Sequence, residues 1–132
     1  MREILFRGKR KDNGEWIEGS LVRGVFYHDD REMWCIVPVD NVFYPRCEIS
    51  SYEEIEPWTI GQFTGLFDKD GIAIFEGDIV RCCGEIRSVI YYEEFAEFEL
   101  SGSDGLSLCC DSQLCKIIGN VYDNPELLEG ES

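Results

Sequence analysis

Gly61-Gln62-Phe63-Thr64-Gly65-Leu66-Phe67-Asp68-Lys69-Asp70-Gly71, running on through Ile72 to Phe75 into Glu76-Gly77-Asp78-Ile79-Val80, is the stretch from which the fold is read. An apolar and β-branched run is broken at Asp68-Lys69-Asp70-Gly71, resumes briefly, and breaks again at Glu76-Gly77-Asp78. Asp favours turns because its side chain bonds nearby backbone, and Gly because it tolerates positive φ. The stretch therefore predicts a strand, a tight turn at Asp70-Gly71, a short second strand, and a turn with Gly77 at positive φ that enters a third strand.

The same period of two recurs outward from this centre. In Phe95-Ala96-Glu97-Phe98-Glu99-Leu100 the residues Ala96, Phe98 and Leu100 share one face and the two glutamates the other, the arrangement of a half-buried strand. Cys115, Ile117 and Val121 alternate with Lys116 and Asn120, and Met33–Val37, Val42–Tyr44 and Ile86–Tyr92 are rich in β-branched and aromatic residues. Asp12-Asn13-Gly14, Ser101-Gly102-Ser103-Asp104-Gly105 and Asp123-Asn124-Pro125 supply further turns. Helix is confined to single turns expected at Ser51–Glu56, Asp111–Leu114 and Pro125–Leu128, none long enough to stand without tertiary support. The expectation is an all-β chain of short strands. An acidic run ending at Pro57 divides it into an N-terminal strand-rich lobe, residues 1–55, and a second lobe, residues 56–132.

Composition narrows the functional classes. The chain has 132 residues, 12 Lys plus Arg and 27 Asp plus Glu, a formal charge of −15. No apolar run approaches the roughly 20 residues of a membrane-spanning helix. The acidic excess argues against nucleic acid as the main ligand, because phosphate binding needs a basic footprint. The charge is uneven: residues 1–31 hold seven basic and six acidic side chains, a net of +1, which leaves −16 on residues 32–132. Arg7, Lys9, Arg10 and Lys11 cluster just before the Asp12-Asn13-Gly14 turn, as a solvated hairpin end or a weak nucleic-acid patch.

Seven cysteines are present: Cys35, Cys47, Cys82, Cys83, Cys109, Cys110 and Cys115. Zinc sites present two ligands on one turn, as in C-x-x-C, whereas here the close pairs are vicinal and point to opposite faces of a strand. An odd count and a charged opening, Met1-Arg2-Glu3, fit reduced cysteines used as small core residues in the cytoplasm, with a zinc site from Cys109, Cys110 and Cys115 as the weaker reading. His28 beside Asp29 and Asp30 is read as a loop, since no nucleophile is placed to use it. Glu53/Glu54 and Glu93/Glu94 lack the further donors a divalent cation needs, and Gly61–Gly65 has no following Lys to make a phosphate loop. No catalytic residue, metal ligand or cofactor site is assigned. Tyr91, Tyr92 and Phe95 around Glu93-Glu94 form a candidate protein-binding edge, the alternative being rings that pair within the sheet.

Three stretches together carry a family resemblance. They are Phe6-Arg7-Gly8-Lys9 with Gly14-Glu15-Trp16-Ile17-Glu18-Gly19; Thr59-Ile60-Gly61-Gln62-Phe63-Thr64-Gly65-Leu66 through Asp70-Gly71 to Glu76-Gly77-Asp78-Ile79-Val80; and Ile118-Gly119-Asn120-Val121-Tyr122-Asp123-Asn124-Pro125-Glu126-Leu127-Leu128. In these the chain resembles the YopX family of phage and prophage proteins. The resemblance implies a mostly β protein with an SH3-like barrel in its C-terminal part and self-association. It also implies structural roles for Gly61, Gln62, Thr64, Gly65, Gly71, Glu76, Gly77, Asp78, Gly119, Asn120, Asp123, Asn124 and Pro125, and it carries no catalytic residue.

The functional expectation is a non-enzymatic protein-binding or assembly module, homo-oligomeric, without membrane or nucleic-acid partner, acting in the bacterial cytoplasm. An acidic DNA mimic that occupies a host protein's DNA site is the alternative, and nucleic-acid binding through Arg7–Lys11 the third reading.

Overall fold

In the computed structural model, which describes residues 4–25, 32–38, 52–82, 84–93, 96–101 and 112–129, the turn at Asp12-Asn13-Gly14 joins β1 (Phe6–Lys9) to β2 (Trp16–Val25). The Asn13 side chain accepts the Glu15 N–H at 2.9 Å and the Gly14 N–H donates to the Arg10 carbonyl at 2.9 Å, the short-range bonding that made this a turn in the sequence. The chain forms two antiparallel sheets and divides into two compact units, Met1–Gln62 and Phe63–Ser132. Val42–Tyr44 lies outside the described residues.

The first unit holds β1, β2, β3 (Glu32–Pro38), β4 (Glu53–Glu54) and the start of β5 (Gly61–Phe67), in the order β4-β3-β2-β1-β5. Phe6 lies opposite Gly19 on β2 and Gln62 on β5, and Arg7 lies opposite Gly61, so the opening and central motifs meet along β1. Ile36 and Ile55 are fully buried against this sheet. Gly19 is required there by close approach: a Cβ on it would stand 1.9 Å from the Val37 carbonyl oxygen, and one on Gly8 would stand 2.7 Å from Ile55 Cδ1. Thr59, also fully buried, ties the segment after Pro57 to β1: its hydroxyl accepts the Lys9 N–H at 2.9 Å and donates to the Glu56 carbonyl at 2.6 Å.

One helical expectation is corrected here. Glu53 and Glu54 are extended and pair with Ile36 and Cys35, and the Ile55 N–H donates to the Trp34 carbonyl. The helical turn begins later, as a 3-10 turn over Pro57–Thr59. Proline suits a first helical position because its missing N–H would have no intrahelical partner there. A second 3-10 turn covers Ser112–Leu114, and the last expected turn is α1 (Glu126–Glu129).

In the second unit Phe63–Phe67 of β5 pairs irregularly with β6 (Ala73–Phe75). The strands β7 (Asp78–Cys82), β8 (Glu85–Tyr92), β9 (Glu97–Leu100) and β10 (Cys115–Asn120) form the other sheet, in the order β10-β7-β8-β9. Ile74, Val80, Cys82, Val89, Leu100 and Cys115 form its core, with Leu66, Phe98 and Ile117 packed against them. The alternation in Phe98-Glu99-Leu100 is realised, while Ala96 sits in the preceding turn at φ 50°. Val121 falls beyond β10, whose register slips between Ile117 and Gly119. Among the described residues neither sheet closes into a barrel, and no helix is long and apolar enough to cross a membrane.

The close approach at Gly19 yields a prediction with its own control. Gly19→Ala should cost about 3 kcal/mol through overpacking and lower the melting temperature by roughly 10 °C. Gly24→Ala, where a Cβ meets nothing within 4 Å, should leave it nearly unchanged. Calorimetry on both variants checks the contrast, and equal effects would contradict it.

Candidate functional site

The basic cluster near the first turn is divided by its surroundings. Arg7 and Lys9 sit over the ring of Trp16, at 4.9 and 5.6 Å from its centre, in cation–π contact. Arg10 donates to both oxygens of Asp12, from Nε at 3.0 Å and Nη2 at 2.7 Å, and its Nη2 lies 3.1 Å from Glu53. Lys11 Nζ lies 3.0 Å from Glu54. The Arg10 hydrogen bonds hold the Asp12 carboxyl below its ordinary value. Glu53 and Glu54 are thus partners of cations on this hairpin.

The central motif is organised by Asp68, which the sequence marks only as a turn residue. Its carboxylate is buried, 3% exposed. Oδ1 accepts the N–H groups of Asp70 and Ile72, both at 2.9 Å, and Oδ2 accepts that of Ile117 at 3.1 Å. The Lys69 N–H donates to the Cys115 carbonyl at 2.9 Å beside it. One carboxylate thereby closes its own turn and holds the outer edge of β10. Burial opposes its ionisation, but the three N–H donors and the Lys116 charge outweigh burial and keep the carboxyl below its ordinary value. The Asx turn is a local signal; the bond to Ile117 has none. Thr64 supports the same strand, its hydroxyl donating to the Ile74 carbonyl at 2.8 Å and accepting the Leu66 N–H at 3.1 Å. Gly65 and Gly71 both take positive φ.

The turn Glu76-Gly77-Asp78 meets the closing motif. The Asp78 carboxylate, 2% exposed, accepts the Phe75 N–H at 2.7 Å. Gly77 stands at φ +95°, where an L side chain is strained, and a Cβ there would also lie 3.2 Å from the Tyr122 ring. Its N–H donates to the Val89 carbonyl and its carbonyl accepts the Val121 N–H, both at 2.9 Å. The position of Tyr122 follows from Asn120, whose Oδ1 accepts the N–H groups of Tyr122 and Asp123 at 3.0 and 2.9 Å. Asn120 Nδ2 donates to Asp123 at 3.1 Å, and Asn124 packs its side chain where a Cβ on Gly119 would go. The Pro125 carbonyl accepts the Leu128 N–H at the start of α1.

The two motifs bound a cleft of about 240 Å³, lined by Glu76 and Gly77, by Ser88 through Tyr91 on β8, and by Val121 and Tyr122. Tyr91 is 43% exposed and meets Phe98 edge-on at 5.2 Å, so it both pairs within the sheet and presents a face to solvent. Tyr92 lies across from Glu97 and Ile90 across from Glu99. Burial, then a hydrogen bond and like charge from Glu97, push the Glu99 carboxyl above its ordinary value. The cleft offers one carboxylate beside two tyrosine rings, a setting that suits a cationic or amphipathic side chain. Among the described residues no three His, Cys, Asp or Glu side chains come together as a metal site. Phe95, Glu94, His28, Asp29, Asp30, Cys47, Cys83, Cys109 and Cys110 lie outside the described residues.

Residues 5–129 match the family model described as YopX protein. Among solved structures the chain is similar to the crystal structure of protein EF1440 from Enterococcus faecalis, with a TM-score of 0.64 and 25% identity over 97% of this chain and 99% of that one. No curated protein matches the chain.

Replacing the Asp68 carboxylate tests its part in this arrangement. Asp68→Asn presents an NH₂ group to N–H donors and should cost about 1–3 kcal/mol. The wild-type carboxyl has a lower pKa folded than unfolded, so its contribution is complete above the ordinary Asp value, about 4, and is lost as pH falls from there through the folded value. Urea unfolding across acidic pH should show the gap between wild type and variant shrinking below that value. A gap independent of pH would contradict the assignment.

Proposed function

The chain belongs to the YopX protein family, and we propose that it is a non-enzymatic, phage- or prophage-encoded protein that binds or assembles other proteins in the host cytoplasm. The observation that carries this reading is the convergence of Glu76-Gly77 and Val121-Tyr122 on one cleft beside the exposed Tyr91. Tyrosine, with Trp and Arg, is enriched among the side chains that anchor protein interfaces. The −16 on residues 32–132 fits a basic partner surface, whether another protein or a second copy of this chain. The packing of β5 and β6 residues against the four-stranded sheet supports an SH3-like barrel in the second unit.

The same acidity supports the DNA-mimic reading as the alternative, in which the basic partner is a host DNA-binding protein. Direct nucleic-acid binding through Arg7–Lys11 is less supported, since Arg10 and Lys11 are ion-paired to Asp12, Glu53 and Glu54.

The test is capture of host proteins on the immobilised chain and on Glu76→Lys. Reversing this charge should weaken retention of the partner at least about tenfold, with circular dichroism and melting unchanged, and retention by the wild type should fall as salt rises. A partner held equally by both proteins would contradict the cleft as the binding surface, and retention indifferent to salt would contradict the electrostatic part.

A further inference from the structure

Cys82 and Cys115 face each other across two neighbouring strands. In the antiparallel register of β7 and β10, Cys82 lies opposite Cys115, Arg81 opposite Lys116 and Val80 opposite Ile117. The hydrogen bonds of β10 tell which kind of opposition this is. The Cys115 carbonyl accepts from Lys69, and the Ile117 N–H donates to Asp68, so both residues direct their backbone groups away from β7. Residues of an antiparallel strand alternate in this respect, so Cys82 and Cys115 form a non-hydrogen-bonded pair, in which the side chains stand closest. The Cα atoms of such a pair are about 4.5 Å apart, inside the roughly 4.4–6.8 Å over which a disulfide closes. Both thiols are reduced and both point into the same apolar core with Val80, Val89 and Leu100. Cys35, the other cysteine described, lies opposite Val22 and Glu54.

We propose that Cys82 and Cys115 are a dithiol site that a small-molecule disulfide converts into a cross-strand disulfide, locking β10 to β7. Cys82 is 7% exposed and Cys115 is fully buried, which assigns the order of the steps. The Cys82 thiolate attacks one sulfur of the external disulfide, forming a mixed disulfide and releasing one thiolate. The Cys115 thiolate then attacks the Cys82 sulfur, forming the internal S–S bond and releasing the second thiolate. Two protein thiols are oxidised, the external disulfide is reduced to two thiols, and the two cysteine protons end on them. The register already sets Cys115 across from Cys82, so the second step proceeds without moving β8 or β9.

The experiment incubates the folded chain with oxidised glutathione and maps the products after tryptic cleavage, which at Arg81, Arg87 and Lys116 separates Cys82 from Cys115. In the Cys83→Ser, Cys109→Ser, Cys110→Ser variant, monomeric protein should lose two thiols and yield the Cys82 and Cys115 peptides linked. With Cys115→Ser added to that variant, which removes the resolving thiol, glutathione should stay attached to Cys82. If the triple variant does not fold, fragmentation of the linked wild-type peptides between Cys82 and Cys83 and between Cys110 and Cys115 gives the same assignment. A folded chain that forms no such link, a link that forms only in denaturant, or Cys115→Ser with no adduct at Cys82 would overturn the proposal.

Discussion

A single buried carboxylate organises the second unit. Asp68 sits where the central turn passes the outer edge of β10, and its two oxygens are shared between the turn, through Asp70 and Ile72, and the strand, through Ile117. A charge taken out of water is costly unless its lone pairs are filled, and here three backbone donors fill them. The same bonds answer a second problem. An edge strand exposes a row of unpaired groups, and at Ile117 and Cys115 those groups are taken up by the Asp68 carboxylate and the Lys69 N–H.

From that constraint the rest of the unit follows in order. With β10 fixed, the chain beyond it turns on the Asn120 side chain, and Tyr122 is brought over Gly77, where φ of +95° favours glycine and a Cβ would stand 3.2 Å from the ring. Asp78 secures the other end of that turn by accepting the Phe75 N–H. The cleft between Glu76 and Tyr122 is thus a product of backbone geometry set by short polar side chains, and Tyr91 reaches its rim from β8. In the first unit the comparable role falls to Thr59 and to Gly19, one supplying a hydroxyl to β1 and the other vacating space for β3.

What was legible in the chain was whatever is enforced locally. The positive φ at Gly77, the turn at Asp70-Gly71, the hairpin at Asp12-Asn13-Gly14 and the alternation of Phe98 to Leu100 each depend on a few adjacent residues, and each is present. The helical turn expected at Ser51–Glu56 failed because Lys11 donates to the Glu54 carbonyl, Trp34 of β3 accepts the Ile55 N–H and Lys9 of β1 accepts the Glu56 N–H, a tertiary effect that outweighs local preference. The basic run Arg7–Lys11 looked uniform as a sequence and is not, since two of its charges lie on Trp16 and two meet carboxylates. The convergence of Glu76 with Tyr122 and the bond from Asp68 to Ile117 join residues more than 40 positions apart and have no local signature. The family resemblance marked Asn120 and Asn124 without a reason; the reason is that Asn120 bonds the backbone of the turn it begins and Asn124 packs against Gly119.

The claim on which this account rests is that the Asp68 carboxylate is ionised and bonded to the Ile117 amide in the folded chain. Nuclear magnetic resonance titration of the Asp68 carboxyl carbon together with the Ile117 amide tests it most directly. Both should report one titration lying below the ordinary Asp value. A carboxyl that titrates at or above that value, or an Ile117 amide that does not respond to it, would show that this bond does not organise the unit.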